Sequence, residues 1–406
     1  MDCVVHTAVG VKCRDCTGGA AATAPTATAR ARASKADRAT KKKWPVPVAV
    51  AGVVVLLIAA FAITRGGGDS SSTTDETGGT AAATGAGAEP SGESNGVFTD
   101  KKADFVGAGG LKIGATLTVP DSAVSRGAQG VLIIPGGGAQ NRNGGVQFDT
   151  GLDDPLYQDL SEALAGAGIV SLRYDKRGTG QSQLAQGAPL SWDDLVADAK
   201  AGLDFLAARR ETQNKPITVM GYDQGGFVAL QLAGTDTRVK GVVLISTPGR
   251  PIAEVIASDF ARGIPDQEKA AAVSAQMRDA AAAVVATGEV PKADTLPGEL
   301  KPIFSADPKY LRGLFGFDPV AAAAKVKQPT LLFRGGNDGS ILPSELDKLK
   351  ASLANATVMT SPLGSNTLSL PAGQEGRFHN PARHGTTRDG DATAAISDWI
   401  NANVKG

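Results

Sequence analysis

A chain of 406 residues holds one large domain with appendages, or two domains. Hydrophobic residues make up 42% and charged residues 20%, with Lys+Arg and Asp+Glu equal at 41 each. That balance excludes the overall positive charge that drives nucleic-acid binding, and confining the cysteines to Cys3, Cys13 and Cys16 excludes a disulfide framework for everything that follows.

Residues 1–20 contain Cys3-Val4-Val5-His6 and Cys13-Arg14-Asp15-Cys16, a C-x2-H-x6-C-x2-C pattern. Two pairs with this spacing suit tetrahedral Zn²⁺, because each pair can turn within one tight knuckle. So small a head would take its fold from the metal. The pattern resembles the short zinc-ribbon or B-box-like heads that precede membrane segments in some bacterial proteins, which implies a structural zinc and a cytoplasmic protein partner. Free cytosolic thiols beside a chance histidine are the other reading.

Residues 21–43 are basic and Ala/Thr-rich, ending in Lys41-Lys42-Lys43. Val46 to Ile63 is uncharged and apolar, and with Trp44 and Thr64 it reaches the roughly 20 residues that span a bilayer. The basic region ahead is too long for a signal peptide and no A-x-A site follows, so residues 44–64 are expected to be a signal anchor. Basic residues precede the span, whereas Asp69, Asp75, Glu76, Glu89 and Glu93 come after it. The positive-inside rule then gives a single-pass cell-membrane protein with a cytoplasmic N-terminus and an extracytoplasmic bulk. Residues 65–96 are Gly/Ser/Thr/Ala-rich and read as a flexible tether with an r.m.s. reach of roughly 30 Å.

From residue 97 the pattern is globular. β-branched runs at 114–119, 131–135, 169–174, 217–221, 239–246, 330–334 and 357–360 alternate with helical patterns at 157–167, 193–209, 344–353 and 392–404. Runs apolar on both faces predict an α/β domain, with a mostly parallel central sheet and helices on both sides. The first strands, near 103–106 and 112–119, read as an antiparallel hairpin entry. Residues 250–320 break the alternation with Ala-rich helical sequence and prolines, and are expected to form a helical cap over the strands' C-terminal ends.

Gly221-Tyr222-Asp223-Gln224-Gly225-Gly226 lies between the apolar run 217–220 and the helical pattern 227–233. Strand, sharp Gly-flanked turn and helix are the context of a G-x-S-x-G nucleophile elbow, with Asp223 in the central position. Taken with the stretches 133–142, 172–182 and 334–338 in the right order, the elbow makes residues 97–406 resemble the α/β-hydrolases, specifically the bacterial serine esterase and aminopeptidase-like branch. The resemblance implies an oxyanion hole from the backbone of Gln224 and of the Gly137-Gly138 region, and a triad acid at Asp338. It also implies a triad His after the eighth strand, where the matching run Gly364-Ser365-Asn366-Thr367-Leu368 carries Thr367.

Serine-type acyl transfer needs a hydroxyl and an imidazole. Asp223 offers no hydroxyl, and Thr367 is no base near neutral pH. Two functions follow. In one, the degenerate triad leaves a binding or scaffold module that holds a small apolar ligand, an ester or an envelope component beneath the cap. In the other, Asp223 is itself the nucleophile and forms a covalent ester intermediate, as in the haloalkane dehalogenases and epoxide hydrolases of this fold. Gln224 stands where dehalogenases carry a Trp, and Tyr310 is the one tyrosine of the expected cap. The base would then be His379 or His384, in the loop before the last helix; two solvent-exposed loop histidines are the other reading. Neither function calls for a cofactor in this domain. Arg173, Asp175 and Arg177 are expected to brace the loop after the fourth strand.

Overall fold

The computed structural model describes residues 97–123, 127–145, 154–371 and 388–405 in full, and the backbone alone of Val4–Thr7, Gly10–Cys13, Glu93–Ser94 and Thr387. Val4–Thr7 (β1) and Gly10–Cys13 (β2) form an antiparallel hairpin that pairs His6 with Val11 and Val4 with Cys13. Cys3, Cys16, the expected span at 44–64 and most of the tether lie outside the described residues. Among the described residues, no helix is long and apolar enough to cross a membrane, and no group of three or more His, Cys, Asp or Glu could hold a metal ion.

The first described element of the larger unit is Glu93–Ser94 (β3), inside the segment read as a tether, followed by Phe98–Lys102 (β4), Phe105–Val106 (β5), Lys112–Ile113 (β6), Ala115–Pro120 (β7) and Gly130–Ile134 (β8). Leu156–Gly166 (α1), Val170–Tyr174 (β9), Trp192–Ala208 (α2), Ile217–Tyr222 (β10), Gln224–Thr235 (α3) and Val239–Ile245 (β11) then alternate. Ile252–Gly263 (α4), Gln267–Thr287 (α5), Lys301–Phe304 (α6), Pro308–Gly316 (α7) and Pro319–Ala323 (α8) fill the segment where the sequence alternation breaks. Thr330–Gly335 (β12), Pro343–Ser352 (α9), Ala356–Ser361 (β13), Ser369–Leu370 (β14), Thr387–Arg388 (β15) and Gly390–Asn403 (α10) complete the chain.

Nine strands join one sheet in the order β13-β12-β11-β10-β8-β9-β7-β4-β3. Pairings from β13 to β9 are parallel, and β7, β4 and β3 continue the sheet antiparallel. The entry differs from the sequence expectation. β4 pairs with β7, while β5 and β6 make a small hairpin of their own. Gly114 breaks the 112–119 run, since a Cβ there would lie 2.4 Å from the Arg142 guanidinium and 2.6 Å from Gln181.

Side chains alternate across the sheet with the strand period of two. Leu132, Ile134, Val219, Val242 and Leu244 face one core, which extends into α4, α5 and α7 through Ile256, Met277 and Leu314. Val131, Ile133, Met220, Val243 and Ile245 face the other, closed by Leu160 of α1 and Trp399 of α10. Burial on both faces is why these strands read as unbroken apolar runs. Helix starts are fixed locally: Ser191 accepts from Asp194 N at 3.1 Å, Asp266 from Lys269 N at 3.0 Å and Asp389 from Ala392 N at 3.1 Å.

Candidate active site

β10 delivers Asp223 to the C-terminal edge of the sheet. Asp223 sits at φ 50 and ψ −120, a conformation that a non-glycine residue adopts only when its surroundings impose it. Its N–H donates to Ile245 O at 2.9 Å, and Gly226 N–H closes on its carbonyl at 3.0 Å. Strand and helix approach so closely that a Cβ on Gly221 would lie 2.3 Å from Gly225 O, and one on Gly226 2.0 Å from Thr247 Oγ1. The glycines on either side are steric requirements.

The Asp223 side chain turns back toward the backbone. Gly137 N–H, in the loop after β8, donates to Asp223 Oδ2 at 3.1 Å, and the Gln224 N–H also helps to hold the carboxylate. Gly138 takes φ 75 and turns that loop. Burial pushes the Asp223 carboxyl above its ordinary range, against the pull of the two amides and of Lys176, while Asp338 repels it further.

Asp338 follows β12 and is buried. Its Oδ1 accepts from Ser340 N and Ile341 N at 2.9 Å each, whereas its buried Oδ2 has no hydrogen-bond donor among the described residues. The Ser246 hydroxyl, on a residue at φ 45, lies near enough to lower the Asp338 pKa but donates to Asn366 O at 3.0 Å. Burial nevertheless leaves Asp338 raised. Thr367 does not close the gap. Its hydroxyl lies 3.2 Å from Ser365 Oγ and 3.1 Å from Ser369 Oγ, and its carbonyl accepts from Arg388. His379 and His384 lie outside the described residues.

Three side chains at this site escaped the sequence reading of the triad. Lys176 is buried behind the elbow and donates to Gly136 O at 2.8 Å and Gln224 Oε1 at 2.9 Å. Asn366 donates from Nδ2 to Tyr222 Oη at 3.0 Å, beside Asp223. Asp259, on α4, is buried against Arg262, which also reaches Gly339 O at 3.3 Å. Lys176 sits in a charged run, Asp175-Lys176-Arg177, that gives no sign in sequence that all three side chains are buried. Its neighbours pair as expected of braces: Asp175 with Arg142, Arg177 with Asp198 and Arg173 with Asp100. Tyr310 does reach the elbow, through the Gln224 amide, whose Nε2 donates to Tyr310 Oη at 2.6 Å.

Asp259 gives the site a pH signature. Burial pushes its carboxyl up to about 7, and Asp338 and Asp223 add to the rise against Arg262 and Arg250. In the unfolded chain the group titrates near 4. The folded protein therefore binds the proton more tightly, and this contribution to stability falls as pH rises from about 4 to about 7. Asp259→Asn is expected to flatten that slope and to gain roughly 1–3 kcal/mol relative to the native chain at pH 8. Urea denaturation at pH 5 and pH 8 checks it, and parallel pH dependence in both proteins would refute the assignment.

The sheet order, the strained Gly-flanked turn at the end of β10 and the amides converging on Asp223 agree with the sequence comparisons. The serine aminopeptidase family, S33, matches residues 155–296. This is an α/β-hydrolase fold. The hydrolase domain is also similar to esterase EstD of Thermotoga maritima, 25% identical over 183 residues, which are 45% of this chain and 41% of that protein. Thiohydrolase apmlB of Arthrinium phaeospermum is 31% identical over 90 residues, 22% of this chain and 29% of that protein. The chain thus spans less than half the length of either curated relative. Among solved structures, a Pyrococcus furiosus esterase aligns over 76% of this chain and 94% of its own, at 15% identity and a TM-score of 0.46.

Proposed function

We propose that the chain is a membrane-anchored protein whose α/β-hydrolase domain works as a binding or scaffold module. One observation carries this reading: Asp223 Oδ2 stands 3.1 Å from Gly137 N. The chain's own carboxylate fills the place where an ester carbonyl would have to sit, and its negative charge repels the oxyanion that a tetrahedral intermediate would put there. Asp338, whose Oδ2 has no donor among the described residues, supports the same conclusion, because Thr367, at the position of the triad histidine, puts no imidazole there. The ligand is a small apolar molecule or ester held beneath helices α4 to α8, which act as the cap. Residues 44–64 anchor the chain with the hydrolase domain outside the cell. The head formed by Cys3, His6, Cys13 and Cys16 binds zinc and contacts a protein in the cytoplasm; sub-stoichiometric zinc on a peptide of residues 1–20 at neutral pH would reject it.

A second reading draws on the same contact. A carboxylate anchored at Oδ2 by the Gly137 N–H can attack through its other oxygen, and the anchored one becomes the carbonyl oxygen of the ester formed on Asp223. Water must then cleave that ester, with His379 or His384 as base.

Hydrolysis by the native chain separates the two. The names of the relatives make short-chain p-nitrophenyl esters and a thioester the first substrates, with an epoxide and a haloalkane beside them. The expected result is no turnover by the native protein, and esterase turnover in the double variant Asp223→Ser, Thr367→His, whose new imidazole has Asp338 Oδ2 to donate to. Native turnover that Asp223→Ala abolishes would overturn the binding reading in favour of an Asp nucleophile.

A further inference from the structure

Lys176 grips the Gly136–Gly137 peptide from behind. Its Nζ donates to Gly136 O at 2.8 Å, and that carbonyl belongs to the same planar peptide unit as the Gly137 N–H, which donates to Asp223 on the other side at 3.1 Å. Glycine on both sides of the peptide leaves its plane free to rotate unless something holds it. The second Lys176 bond, to Gln224 Oε1 at 2.9 Å, ties the plane to the first residue of α3. From there Gln224 Nε2 reaches Tyr310 Oη on α7 at 2.6 Å. All three side chains are buried.

We infer that Lys176 is the positioning residue of the oxyanion site: it aims the Gly137 N–H through the carbonyl of the same peptide, and the Gln224–Tyr310 bond registers that plane against the helical insertion. A cation on the carbonyl oxygen also polarises the peptide and strengthens its N–H as a donor. This goes beyond the binding reading, since it applies equally to a hole that holds Asp223 or one that holds a ligand oxygen.

The charge gives a handle. Burial brings the Lys176 ammonium down to about 7, with Asp223 opposing the shift. Tyr174, Arg177 and Asp198 face it across a cavity of about 10 Å³, the size of one water, and Tyr310 faces it through Gln224. Above pH 7 the amine keeps two hydrogens, enough for Gly136 O and Gln224 Oε1, but loses the polarising charge. The Gly137 donor is therefore strongest below pH 7.

Hydrogen–deuterium exchange on the full-length chain tests this, with rates corrected for the intrinsic pH dependence. Lys176→Met is expected to accelerate amide exchange across residues 136–138 at least tenfold, and to leave β12 within twofold of native. Tyr310→Phe is expected to accelerate the same amides about threefold and to add nothing on top of Lys176→Met, because both act through one string. In the native chain, protection at 136–138 is expected to step down between pH 6 and pH 8. That step should persist in Asp223→Asn, which removes the elbow's own titration, and vanish in Lys176→Met. Unchanged exchange at 136–138, equal acceleration in β12, or a pH step that survives Lys176→Met would each overturn the inference. Should Lys176→Met fail to fold, Gln224→Leu decides by the same regional comparison.

Discussion

A methyl group added at Gly225 is expected to destabilise the hydrolase domain by roughly 3–5 kcal/mol, a large part of the stability of an ordinary domain. Its Cβ would lie 2.3 Å from Ile134 O and 2.6 Å from Pro135 O. Both are backbone atoms at the end of β8, held there by the parallel pairing of β8 with β10. No rotamer change relieves such a clash, so either α3 must lift from the sheet or the elbow must open. Gly166→Ala is the matched control. Gly166 is the last residue of α1, with nothing within 4 Å of its Cβ direction, and alanine there is expected to be neutral or to stabilise by up to about 1 kcal/mol. Chemical denaturation of the two variants beside the native chain checks the contrast; similar midpoints for both would show that the elbow is not the tight joint described.

The second large effect lies one residue from Lys176. Arg177 donates from Nε to Asp198 Oδ2 at 2.7 Å and from Nη2 to Asp198 Oδ1 at 2.8 Å, with both side chains buried. Asp198 also accepts from Ala108 N at 2.8 Å. Asp198→Ala would strand a buried guanidinium and an amide together, and is expected to cost about 3–5 kcal/mol. Asp198→Asn keeps acceptor and shape while losing the charge, so a smaller loss of about 1–3 kcal/mol follows. The pair is not expected to be worth that much against an apolar core. A double change of Arg177 and Asp198 to Leu should therefore fall well short of the sum of the two single losses. Additive losses in that cycle would mean that each residue acts through contacts of its own.

Much of this architecture could be read from the chain before its coordinates. Strands β8 to β12 were legible because both faces of each are buried, which writes continuous apolar runs. The elbow was legible because strand, turn and helix must follow one another within a few residues. Local patterns failed where neighbours are set by long-range register. Nothing near Phe98–Lys102 says that it, rather than the 103–106 run, pairs with β7. Nothing near Thr367 says that its hydroxyl turns toward Ser365 and Ser369 and away from Asp338. Lys176 and Asp259 look like surface charges in sequence, and only the packing of β9 under the glycine loop, and of α4 beside the β12 loop, buries them.

The bonds that join the glycine loop, Lys176, Gln224 and Tyr310 close separations of 40, 48 and 86 residues. Contacts so distant along the chain form late, because loop closure must come before any gain from them. A chain emerging from the ribosome N-terminus first has its glycine loop and its elbow in hand well before Tyr310 has been translated. Until then Gln224 lacks its outer partner, and the Gly136–Gly137 peptide is tied to Lys176 and the elbow but not yet to the helical insertion. The pace of translation through the helical insertion, as much as collapse of the sheet, then sets when a newborn molecule acquires a finished site.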